Sequence, residues 1–192
     1  MRLSIINETA VHFHDGIADT YSRYVAVHGD INDGIPEIVY AALDSLGHGN
    51  LSYIQTKIRP HFLGWIGYYV RDGVLIITEI QSDVLEKLSN SEIHNIGDLN
   101  TQSIVKKYRS RIDNRYSRWI DNALLYIESQ LIPSLNDQRQ QCPHGPESKI
   151  DSISVELPRN LELGTRLMRM ISALGRAGYR KIDQHTFNKK LI

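Results

Sequence analysis

With a single cysteine, Cys142, the chain has no internal disulfide to hold it together. Its stability must come from an apolar core, and the thiol usage fits a reducing compartment. No apolar run approaches the roughly 20 residues of a membrane span, so no membrane partner is expected. Neither charge is in excess: Lys plus Arg and Asp plus Glu each count 22, so no global field steers the chain toward nucleic acid or lipid. The segment Met1-Arg2-Leu3-Ser4-Ile5-Ile6-Asn7 lacks the apolar stretch and cleavage site of a signal peptide. A metal site is not expected either. Cys142 and His144 lie in a Pro- and Gly-containing stretch without two further ligands, and His12, His14 and His28 match no compact ligand spacing. These histidines read as part of a solvated loop.

What is present is length enough for one domain, 1–192, with an ordinary hydrophobic fraction of 41%. The chain is organised around Val74 to Asp83. Five of its first seven residues are β-branched, which reads as a buried strand. It ends in Glu79-Ile80-Gln81-Ser82-Asp83, with polar groups gathered where an apolar strand would simply stop. A carboxylate inside such a run must be paired, hydrogen-bonded or protonated. The plain reading is that Ser82 or Asp83 caps a helix over Val84 to Leu88 while Glu79 faces solvent.

Around it the elements follow from periodicity. A short strand, Leu3 to Ile6, opens the chain. Asp33-Gly34-Ile35-Pro36 starts a helix whose Ile35, Ile38, Val39, Ala42, Leu43 and Leu46 share a side, and Gly47 ends it. Strands are predicted over 51–59, 65–70 and 74–80, the last two joined by Arg71-Asp72-Gly73, a hairpin signal. Residues 101–131 carry apolar positions every three or four residues, which predicts one long amphipathic helix stopped by Pro133. It belongs to a helical insertion, 99–148, that closes in a polar loop over 134–148. Its first half carries Lys106, Lys107, Arg109, Arg111, Arg115 and Arg118. Lys107, Arg111, Arg115 and Arg118 are the candidates for contacting phosphates or a partner, although a solvated face is the plainer reading. A strand over 150–157, a helix over 161–177 ended by Gly178, and a strand over 180–187 complete a βαβ-like unit. The fold class is therefore α/β, a mixed and largely antiparallel central sheet flanked by helices.

Two resemblances give this frame a function. Glu79-Ile80-Gln81-Ser82-Asp83, followed by Arg169-Met170-Ile171, Gly178-Tyr179-Arg180-Lys181-Ile182 and Thr186, resembles a domain of phage-encoded and mobile-element proteins. That resemblance implies a phage origin, a place in the host cytoplasm or virion, and no established reaction. The run Arg159-Asn160-Leu161-Glu162-Leu163-Gly164-Thr165, continuing to Ile182, resembles the cofactor-binding core of GNAT-type acetyltransferases. It implies a GNAT-like fold with Arg159, Asn160, Leu163, Gly164 and Thr165 around the pyrophosphate of acetyl coenzyme A. Glu162 departs from that pattern by placing a carboxylate where a glycine belongs. On this reading the protein is an acyl-CoA-dependent N-acyltransferase. Glu79 is the candidate general base, Tyr179 or His185 the acid, and Gln81, Ser82 and Asp83 complete the polar tip. The competing reading is a non-catalytic phage module that binds other phage structural proteins or nucleic acid. Its polar tip only fixes the strand-to-helix turn.

Overall fold

A computed structural model describes residues 2–14, 17–30, 32–46, 61–82, 85, 88, 92–141, 148–157 and 165–191. The fold is mixed α/β, an open and mostly antiparallel sheet flanked by helices. Its elements, in chain order, are β1 (Arg2–His14), β2 (Ile17–His28), α1 (Glu37–Asp44), β3 (Phe62–Arg71) and β4 (Val74–Gln81). Then come α2 (Leu99–Tyr116), α3 (Trp119–Tyr126), α4 (Ile132–Gln140), β5 (Ser152–Glu156), α5 (Thr165–Arg176), β6 (Arg180–Lys181) and β7 (Thr186–Lys190). The strand order is β1-β2-β3-β4-β5-β7-β6. The chain divides into two compact units. One holds Met1–Ile6, Val25–Trp65 and Gln81–Arg118, and the other holds Asn7–Tyr24, Ile66–Ile80 and Trp119–Ile192.

In the first unit, Val25, Ala26 and Val27 at the end of β2 and Phe62, Leu63 and Trp65 at the start of β3 are buried. The rings of Phe62 and Trp65 stack with planes 4° apart. Helix α1 begins after Pro36, whose fixed φ suits that position, and it buries Val39, Tyr40, Ala42 and Leu43. Helix α2 begins at Leu99 because the Asp98 carboxylate accepts from the backbone N–H groups of Asn100 and Thr101. It buries a narrow seam of Val105, Ile112 and Tyr116.

The second unit is built on β3, β4 and the C-terminal strands. Asp72 and Gly73 both take positive φ, 51° and 77°, as a two-residue hairpin turn requires. Strand β4 pairs with β5 in parallel, Val74↔Ser152 through Ile77↔Val155. Strand β7 lies antiparallel to both β5 and β6. Buried Asn136 of α4 acts as a substitute ladder partner for Ile150. Its Oδ1 accepts from the Ile150 N–H at 2.8 Å while its Nδ2 donates to the Ile150 carbonyl at 3.4 Å.

Several sequence expectations are corrected. The region of His12, His14 and His28 is strand, not loop: His12 and His14 belong to β1, and buried His28 to β2. The helix expected over 101–131 is several pieces, and Pro133 does not stop it. A proline inside an α-helix clashes with the carbonyl four residues back. Here Ile127–Leu131 widens into a π-turn, with the Ile132 N–H donating to the Ile127 carbonyl, and Pro133 falls in the first turn of α4. Residues 134–140, expected as loop, are therefore helical. The final strand is likewise two strands. The Asp183 carboxylate accepts from the N–H groups of His185 and Thr186 and reverses the chain between β6 and β7. Because β7 is inserted between them, β5 and β6 are parallel but not neighbours. The strand expected over 51–59, and most of the helix over 84–88, lie outside the described residues.

Candidate functional site

The parallel β4–β5 pair decides which sequence candidates can act together. Glu79 stands two residues beyond Ile77, the last paired position of β4, and Leu157 stands two beyond Val155 on β5. Both therefore lie at the carboxyl end of the pair. The Leu157 N–H donates to the His185 carbonyl at 2.7 Å, so His185 joins them, two strands across from Glu79. At roughly 4.8 Å per strand that is about 10 Å, close enough for one small substrate to reach both. Both side chains are half-buried.

Tyr179 is not at this end. Register puts Lys181 level with Phe187 and Val155, so Tyr179 lies four residues below Leu157, about 13 Å along the strands. Its ring is buried. The Lys189 ammonium lies 5.5 Å from the ring centroid and donates to Glu128 Oε2 at 2.6 Å and to the Ala177 carbonyl at 2.8 Å. Burial, and next the Glu128 carboxylate, push the Tyr179 phenol far above its usual range. This phenol stays protonated as part of a core contact built on the π-turn residue Glu128, and Tyr179 is removed from the acid–base pair. His185 remains the candidate acid.

Ser82 is fully used by the fold. Its hydroxyl donates to the Leu63 carbonyl and accepts from the Leu85 N–H at 3.1 Å, which is a helix-capping bond. The chains meet closely there, since a Cβ on Gly64 would stand 2.1 Å from the Gln81 carbonyl oxygen. Gln81 ends β4 half-buried. Asp83, Arg159, Asn160, Leu163 and Gly164 lie outside the described residues. Thr165 opens α5, whose first turn carries no acidic residue.

On α2, Arg115 pairs with Asp30 at 3.0 Å and Arg111 reaches the Gly34 carbonyl at 3.5 Å. Lys107 lies 5.9 Å from the centroid of the Tyr108 ring. Arg118 follows the helix and is exposed.

The first unit also holds a constellation that the sequence reading did not single out. Tyr40 donates to Asp33 Oδ2 at 2.5 Å, and Tyr116 donates to the same oxygen. Asp33 Oδ1 accepts from the Ile35 N–H at 2.8 Å, and the Tyr116 hydroxyl accepts from the Asp30 N–H at 3.0 Å. All three side chains are buried. Gly29 closes the cluster, because a Cβ there would stand 2.6 Å from the Tyr40 oxygen and 2.8 Å from that of Tyr116. The His61 ring packs edge-on against Tyr40 at 4.8 Å, and its backbone takes φ 64°. Left-handed backbone at a histidine is uncommon, and it lets the His61 carbonyl accept from the Gly29 N–H at 2.7 Å. Local pattern could not have shown this cluster, since Tyr116 lies 83 residues from Asp33.

Among the described residues no group of His, Cys, Asp and Glu is placed to hold a metal ion, and no helix is long and apolar enough to cross a membrane. No protein-family model, no curated protein and no solved structure matches this chain.

Proposed function

We propose that the protein is a GNAT-like N-acyltransferase that takes its acyl group from acetyl coenzyme A. The observation that carries this reading is the parallel β4–β5 pair, with Glu79, Leu157 and His185 at one end of it. In mixed sheets the carboxyl ends of parallel strands are where ligands collect, and helices that follow such strands turn their N-terminal amides toward them. Acetyl coenzyme A supplies an activated thioester. The Arg159 to Thr165 segment and the start of α5 bind its pyrophosphate. Glu79 accepts the proton of the attacking amine, directly or through water, and His185 protonates the departing thiolate.

The direct test is thermal unfolding with acetyl coenzyme A at about 1 mM. A ligand present at a hundred times its dissociation constant stabilises by about 2.7 kcal/mol, which reads as several degrees. Gly164→Trp should abolish that shift, whereas Glu79→Gln should keep it and lose acyl transfer to an amine panel. The absence of a shift in the unmodified chain would overturn the proposal.

A second reading, a non-catalytic phage module that binds other virion proteins, is favoured by one observation. Ser82 spends both its donor and its acceptor on Leu63 and Leu85, as expected where a polar strand end serves only to fix a turn. That reading predicts no response to acetyl coenzyme A at any concentration.

A further inference from the structure

We infer that one side of helix α2 is a docking stripe for single-stranded nucleic acid, with Lys107, Arg111, Arg115 and Arg118 on the phosphates and Tyr108 under a base. Charge placement carries the inference. The chain as a whole has no net charge, yet residues 106–118 hold six basic side chains against one acidic side chain, Asp113. At about 100° per residue, Lys107, Arg111, Arg115 and Arg118 fall within an arc of about 80° and cover about 16 Å of helix. Asp113 lies on the other side of the buried seam, next to Lys106 and Arg109, and compensates those two. The four-residue stripe has no acid of its own helix among it.

The chemistry of the stripe selects the partner. Lys107, Arg111, Arg115 and Arg118 are exposed, and Ser103, Ser110 and Asn114 between and beside them are polar. No exposed apolar side chain lies between 106 and 118, so the surface suits neither an amphipathic helix nor an acyl chain. Tyr108 is half-buried at the edge of the stripe, with the Lys107 ammonium 5.9 Å from its ring centroid. A ring flanked by cations is how proteins hold unpaired bases, stacking the base while the cations track the backbone. The Arg115–Asp30 pair joins side chains that are 47% and 37% exposed. An exposed pair of that kind yields readily to a phosphate.

The experiment is fluorescence anisotropy of labelled oligo-dT and oligo-U with the full chain, titrated at salt from about 50 to 200 mM. Four contacts to a single strand predict a log–log slope of about −3, a loss of affinity on the order of fifty-fold across that range. Lys107→Gln with Arg111→Gln should halve the slope, whereas Lys106→Gln with Arg109→Gln, which removes the same charge beside Asp113, should leave it unchanged. Tyr108→Ala should weaken binding roughly tenfold. The salt slope of the unmodified chain needs no variant to fold. No binding at low salt, a flat slope, equal loss from both double variants, or equal affinity for polyglutamate or phosphatidylserine vesicles would each overturn the inference.

Discussion

Tyr40 and Tyr116 donate to the same oxygen of Asp33, and their own hydroxyl oxygens stand 3.1 Å apart. The arrangement ties α1, α2 and the 30–35 turn to one buried carboxylate. Each phenol is favoured in its protonated form. Burial raises both above their usual range, and the hydrogen bond to Asp33 raises them further.

Removing either hydroxyl leaves the carboxylate with one donor fewer in a place water does not reach. Tyr40→Phe and Tyr116→Phe should each destabilise by about 1–3 kcal/mol. Tyr116→Phe should cost more, because it also strips the Asp30 N–H of its acceptor. The double variant should depart from additivity by at least about 0.5 kcal/mol, as groups sharing one partner do. Urea denaturation of the four proteins measures it. Strict additivity would mean that the two phenols do not act on one carboxylate.

At alkaline pH the sign is set by the same shifts. A tyrosine whose folded pKa lies above its unfolded value, about 10, holds its proton in the native state while the unfolded chain loses it. The native state then binds more protons, and stability falls as pH rises through 10. Tyr40, Tyr68, Tyr116, Tyr126 and Tyr179 are all raised, with burial the first cause in each. The phenolate absorbance of these five should therefore appear only with loss of the circular-dichroism signal. A single smooth titration with the fold intact would contradict the burial of these rings.

Two glycines should respond to alanine in opposite directions. At Gly64 a Cβ would meet the Gln81 carbonyl oxygen at 2.1 Å and Ser82 Cα at 3.0 Å. Backbone cannot swing aside, so Gly64→Ala should lower the melting temperature sharply and disturb the Ser82 cap. Gly175 lies in α5 with nothing within 4 Å of the new methyl. Gly175→Ala should stabilise by about 0.5–1 kcal/mol, the ordinary helix preference. Comparison of the two melting curves checks both.

The sequence by itself determined the elements whose cause is local. The β-branched run of β4, the Asp72-Gly73 hairpin, the helix after Pro36 and the buried positions Ile112, Tyr116, Ala123, Ile127 and Leu131 follow from turn chemistry and from side-chain period. Glu79 was legible as a candidate because it is a polar group at the end of an apolar run, whereas His185 entered only as a possible acid under the acyltransferase reading. Tertiary structure alone decided which of them share an end of the sheet, since strand partners and their direction are set by packing between segments far apart in the chain. Val74–Ile77 met Ser152–Val155 in parallel, and β7 came between β5 and β6. That pairing kept His185 with Glu79 and moved Tyr179 away. The same reason explains Asp33, Tyr40 and Tyr116, whose shared hydrogen bonds no local pattern announces. It is the burial of one carboxylate among groups brought in from 7 and 83 residues away that makes them a unit.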